Sequence, residues 1–362
     1  MLKSSSLAVT LVVAVLGPCC STRGKAQSVK KPHVSADARR DAIRRAQVWM
    51  PTDIPSMDLK KGPGGKSAFA FEQTVDCKWI KKEISGNSPK FTCVIPPEDE
   101  VKVKYGRDNG EVYAEVAATR LLWAIGFPAD HMYPVKVRCE GCPPVPEGTL
   151  DKTSASVFFD PASIERKFKG HAIETAPDSG WLWSELDLVS PSAGGAPQAQ
   201  RDALKLLAVF IQHTDNKAAQ QRLVCLDEGD ARAERCQHPL MMVNDLGQTF
   251  GRSNLFNRDS VGSVNLEQWQ AAHIWSDAKL CIGNLPPSQT GSLQNPQITE
   301  SGRKFLYDLL IQLTDQQLHD LFAVARFDDR SEKLVRPAAT VEQWVEAFKK
   351  KRGEIASATC PS

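Results

Sequence analysis

The apolar pattern of this 362-residue chain passes from a β-rich early part to a helix-rich late part, and that order restricts the fold more than any composition value. Between Phe69 and Tyr105 apolar residues come in short β-rich runs, Ala70–Ile80, Lys90–Ile95 and Glu100–Tyr105, separated by turn residues. One helix is expected next over Glu111–Ile125, where Ala114, Ala118, Leu121 and Ile125 share a face between a capping Asn109 and Gly126-Phe127-Pro128. Strands are expected at Met132–Arg138 and Ser154–Phe159, then a helix over Gln198–Gln212. Two short strands, Arg222–Leu226 and Leu240–Asn244, flank a polar insert bounded by Cys225 and Cys236. The last third is helical, with capping boxes Thr314/Gln317 and Thr340/Gln343 opening apolar-periodic runs. A β-rich early part holding one helix therefore precedes a helix-rich late part, an α+β chain without internal repeats.

Charge and composition exclude several classes. Lys+Arg number 45 against 43 Asp+Glu, a net charge of +2, so no nucleic-acid partner is expected. With 41% hydrophobic and 24% charged residues the chain is globular rather than disordered. The continuous apolar run Leu7–Leu16 is too short to span a bilayer. Behind Lys3 and ahead of small residues it reads as a signal peptide over residues 1–26, cleaved after Ser21 or Ala26. A lipoprotein anchor at Cys19 fits poorly because Pro18 precedes it. A secreted or periplasmic protein without a transmembrane span is expected.

Processing removes Cys19 and Cys20 from the ten cysteines and leaves eight, an even number that suits an oxidising compartment. A hairpin turning inside Ser85–Pro89 brings Cys77 opposite Cys93, the preferred disulfide. Cys225–Cys236 is favoured across the insert, Cys281–Cys360 follows by elimination, and Cys139-x-x-Cys142 reads as a disulfide, local or to other cysteines, rather than a zinc site. Residues 27–68, rich in Pro and Gly after a basic start, read as a leader with a short helix inside Ala36–Trp49. Gly62–Ser67 only imitates a nucleotide loop, since Lys60 stands where the first glycine is required.

The chemistry concentrates in His213-Thr-Asp215-Asn-Lys217-Ala-Ala-Gln220, which ends an apolar helix, and in Asn244-Asp245-Leu246-Gly247 after the strand pair. Upstream stand Val101-Lys102-Val103-Lys104 and, on the next helix, Glu111 and Glu115. In this order the set resembles the atypical protein-kinase-like superfamily, in the style of HipA, CotH and the four-jointed secretory kinases. The resemblance covers roughly residues 70–350 in order of elements. It implies a two-lobed fold with a β-rich N-lobe at 69–160 and a helix-rich C-lobe at 161–358. ATP and Mg or Mn would lie between the lobes, with phosphate passing to an acceptor the sequence does not name.

The resemblance makes Asp215 the base or substrate-orienting group, Asp245 the principal metal ligand and Gln220 the second. Lys104, or its same-face neighbour Lys102, would hold phosphate and pair with Glu115 or Glu111. Ser85, Gly86 and Ser88 would lie in the phosphate-covering turn. Three departures stand out: Gln220 replaces the usual Asn, the turn carries a single Gly, and Asp215 lies far from Asp245 because of the cysteine-bounded insert. The first of these, with the scarcity of ATP outside the cytoplasm, gives a kinase-shaped scaffold as the alternative. A metal-dependent hydrolase using His213 with the two aspartates is a third reading.

Overall fold

The computed structural model describes residues 34–361 except 83, 147–153, 177–179, 228–234, 254–261, 289–290 and 331–338. The signal peptide and Cys19 lie outside the described residues. The chain is mixed α/β. Five strands close a barrel: β1 (Thr74–Ile80), β2 (Lys90–Ile95), β3 (Asp99–Tyr105), β4 (His131–Glu140) and β5 (Ser156–Arg166), in the order β1-β2-β3-β5-β4. Neighbours are antiparallel except β1 and β4, which run parallel and shut the barrel. Alternate residues fill it: Val75, Phe91, Val101, Val103, Val135, Val137 and Ile164 form one buried cluster. β5 is longer than expected, so the boundary between 160 and 161 falls inside a strand.

A second, larger core joins the helices α1 (Ala36–Arg45), α2 (Glu111–Ala124), α3 (Gln198–Phe210), α4 (Leu266–Ala271), α5 (Glu300–Leu310), α6 (Asp315–Val324) and α7 (Val341–Ser357). Its centre is an aromatic knot of Phe250, Trp269, Phe322, Phe327 and Trp344, with ring centroids 4.6 to 6.5 Å apart. The segment expected to be a leader contributes to this core. Ala42, Ile43, Val48, Ile54 and Leu59 are buried in it, and Gln317 Nε2 donates to the carbonyls of Ile54 and Met57. The short helix does form, but stops at Arg45, where Arg44 and Arg45 complement the helix dipole.

α2 differs from its expected one-sided pattern. Residues all round it are buried because β4 packs on one side and α6 on the other. The strand β6 (His171–Ala172), ahead of α3, pairs with β7 (Gln221–Cys225) and β8 (Pro239–Val243) beyond it, in the order β6-β7-β8. The small pair β9 (Trp275–Asp277) and β10 (Ile282–Gly283) completes the strands among the described residues.

Four disulfides join Cys77 to Cys93, Cys139 to Cys142, Cys225 to Cys236 and Cys281 to Cys360. In the first hairpin Trp79, not Cys77, is the register partner of Cys93, so that bridge runs diagonally across the strands with Cα atoms 5.8 Å apart. No helix among the described residues is long and apolar enough to cross a membrane.

Candidate functional site

The register of the barrel decides which lysines meet. Lys90 on β2 lies opposite Lys104 on β3, and Thr92 lies opposite Lys102. Opposed residues share a sheet face and alternate residues return to it, so Lys90, Lys102 and Lys104 form one cationic patch on the barrel's outer surface. α2 covers part of this face. Its first two turns carry Glu111 and Glu115, and Lys104 Nζ reaches both, at 2.6 Å from Glu111 Oε2 and 2.7 Å from Glu115 Oε1. The choice left open between the two glutamates thus resolves into a fork. Lys104 is only 1% exposed, while Lys102 turns outward to pair with Glu165 on β5.

Asp245, on the loop after β8, completes the cluster. Gly247 N–H donates to its Oδ1 at 3.0 Å. A side chain at Gly247 would put Cβ 2.8 Å from Glu111 Cγ, so only glycine lets this loop approach α2 so closely. Burial alone would drive Lys104 toward neutrality, but Asp245, Glu115 and Glu111 together hold its pKa well above the usual lysine range. For Glu115, burial and the neighbouring carboxylates outweigh Lys104 and raise the pKa well above normal. Burial opposes ionisation of Asp245 too, yet Lys104, a hydrogen bond with Glu115 and the Gly247 amide hold it well below the usual carboxylate range.

The second half of the site is a loop. α3 ends at Phe210, Gln212 takes a left-handed conformation (φ 52°), and the chain runs through Asp215 into a single 3₁₀ turn at Ala218–Gln220. Gln220 Nε2 and Lys217 Nζ donate to Asp215 Oδ2 at 2.8 and 2.9 Å. The backbone sews this loop to the Asp245 loop. Gln220 O accepts from the amides of Asn244 (2.7 Å) and Asp245 (3.3 Å), and Thr214 N–H donates to Gln248 O (3.1 Å). His213 is 1% exposed beside Trp183, and its burial lowers its pKa to about 4 even though Asp245 and Asp215 pull the other way. It is neutral at physiological pH.

Ser85 and Gly86 are exposed at the tip of the β1–β2 hairpin, whereas Ser88 is tied inward, its Oγ donating to Glu111 Oε2 at 2.7 Å. Sequence reasoning missed Lys90 and Lys167; Lys167 Nζ bonds Asp130 at 3.0 Å and Asn244 at 3.3 Å. The signal for Lys90 lay in the short turn at 96–98 between β2 and β3, whose register sets Lys90 opposite Lys104. A cavity of about 580 Å³ lies elsewhere, lined by Trp183, Arg201, Lys205 and the 292–299 segment, and none of the expected site residues reaches it.

No family model matches the chain, and no curated protein matches it. Among solved structures it is similar to the crystal structure of a Helicobacter pylori proinflammatory kinase, CtkA, at 11% identity and a TM-score of 0.41, over 78% of this chain and 95% of that one.

Proposed function

We propose that the chain is an exported, two-lobed kinase-like phosphotransferase that binds ATP and Mg or Mn between the barrel and the helical part. The observation that carries this reading is the three-way meeting of Lys104, the α2 glutamates and Asp245, on a loop bonded through its backbone to the one bearing Asp215. Phosphoryl transfer needs little covalent help from protein; it needs charge held where phosphate oxygens gather and a carboxylate at the attacking hydroxyl. Lys104 holds phosphate, oriented by Glu115 and Glu111. Asp215, fixed by Gln220 and Lys217, orients the acceptor hydroxyl and takes its proton.

Asp245 and the Gln220 amide oxygen offer oxygen donors only, the set that suits a hard divalent cation. Such a cation neutralises charge developing between the β- and γ-phosphates. The four disulfides support export, since such bridges persist in oxidising compartments.

One observation favours the scaffold reading: Lys104 is enclosed and compensated by two carboxylates before any phosphate arrives. A thermal-shift series with ATP, GTP and Mn²⁺ separates the two. The phosphotransferase predicts a rise of several degrees with nucleotide plus metal, lost in Asp245→Ala; no shift with any nucleotide leaves the scaffold. Binding retained in Asp245→Ala with unchanged metal dependence defeats the proposed role of Asp245.

A further inference from the structure

We propose that Lys90 is a second phosphate-binding lysine, contributed by the β1–β2 hairpin and aimed at the phosphate chain of the nucleotide from the side opposite α2. This rests on the nucleotide reading above and adds a residue to it.

Three observations carry the inference. The first is register, since Lys90 faces Lys104 directly across the β2–β3 ladder and shares its sheet face. The second is compensation. Lys104 is neutralised by Glu111 and Glu115, and Lys102 by Glu165. Among the described residues, the hydrogen bond Lys90 makes is a long 3.4 Å contact to Ser88 Oγ, so it brings positive charge into the cluster that no adjacent carboxylate cancels. Glu111 and Asp245 act on it only at longer range, and half-burial together with Lys104 lowers its pKa, a cost that a bound anion would relieve.

The third observation is the turn itself. Gly86 has φ +93°, and a Cβ there would lie 2.6 Å from Lys90 Nζ, so the turn lies directly against the ammonium. Ser88 occupies the space between, its hydroxyl 2.7 Å from Glu111 Oε2 and 3.4 Å from Lys90 Nζ. The tip of the hairpin, the Lys90 ammonium and the Ser88 hydroxyl therefore form a donor-lined edge above Lys104. Polyanion chemistry fits that edge. A neutral sugar or base would leave the Lys90 charge unanswered.

The test titrates wild type, Lys90→Met, Lys90→Arg and Lys102→Met with adenosine, AMP and ATP in Mn²⁺, and with inorganic tripolyphosphate alone, by calorimetry. Losing a charge-assisted contact should weaken ATP and tripolyphosphate binding by tenfold or more in Lys90→Met, on the order of the usual worth of such bonds. Adenosine binding should be unchanged, Lys90→Arg should keep most of the affinity, and Lys102→Met should lose less than Lys90→Met. Unchanged ATP affinity in Lys90→Met, an equal loss for adenosine, or a larger loss in Lys102→Met overturns the role of Lys90. If wild type binds no nucleotide, the nucleotide reading falls. Tripolyphosphate binding that is lost in Lys90→Met would still support the subsite, and no binding of tripolyphosphate to wild type overturns it.

Discussion

Lys104 meets its glutamates under a helix that is buried all round, whereas Asp215 meets Gln220 and Lys217 on a loop that solvent reaches. The barrel side is held by a closed sheet, a cross-hairpin disulfide and an ion cluster with charges packed within hydrogen-bonding distance. The Asp215 side is held by backbone bonds between two loops and by the buried His213 and Asn216 beneath them. Ionic groups inside a dry, fixed frame couple strongly to folding, because removing one leaves the others buried without a partner. Those on a loop near water couple mostly to what they bind. Under the proposed function, a charge held for phosphate or for a hydroxyl is thus tied to stability on one side and largely released from it on the other.

The sharpest way to break that contrast is to remove one lysine from each side. Lys104→Met should cost about 3 kcal/mol or more of unfolding free energy, the range for breaking a buried ion pair, with protonation of Glu115 keeping it from rising further. Lys217, whose side chain is 42% exposed, should cost within about 0.5 kcal/mol when changed to Met. Urea unfolding of both variants reads the difference, and equal costs would remove the distinction between the two sides.

Acid should act on the loop side through the buried His213 beneath it. His213 has a pKa of about 4 in the fold because it is buried, against about 6.5 in an unfolded chain. Between those values the unfolded state binds the extra proton, so stability falls as pH is lowered from about 6.5 toward 4 and this contribution is constant below. The loss reaches about 3 kcal/mol for the single group. His213→Phe should flatten that part of the curve relative to wild type; superimposable pH profiles of the urea midpoint would show that burial of His213 is not what sets it.

The legible parts of the site were those set by local periodicity. Two residues along a strand and four along a helix put Lys102 with Lys104, and Glu111 with Glu115, on common faces. That spacing could not choose between the glutamates, and the structure uses both. What stayed hidden depends on distant pairing. Lys90 needs the register of the β2–β3 pair, which turns between Ile95 and Asp99 and is independent of the cysteine hairpin. The parallel β1–β4 contact that closes the barrel joins residues about sixty positions apart. The segment before the barrel reads as a leader because Pro and Gly break its periodicity. Yet Trp49 Nε1 donates to Ile125 O at 2.7 Å and Gln47 bridges to Leu240, contacts that no local pattern announces.

The smallest expected effect tests the departure most visible in the sequence. By the resemblance, Gln220 is expected to stand where Asn is usual, and its side chain reaches Asp215 Oδ2 while its backbone carbonyl serves the amides of Asn244 and Asp245. The backbone role survives any substitution. Gln220→Asn shortens the side chain by one methylene, so the 2.8 Å bond to Asp215 should lengthen or break, at a stability cost of about 1 kcal/mol or less for an exchangeable hydrogen bond near solvent. The informative readout is the metal. If the amide oxygen ligates the cation, shortening it should shift the Mn²⁺ concentration needed for nucleotide binding, while Asp215→Asn, which keeps the shape of the site, should leave that concentration unchanged. A shift in both variants would place Asp215 among the metal ligands, and a shift in neither would confine Gln220 to steadying the loop.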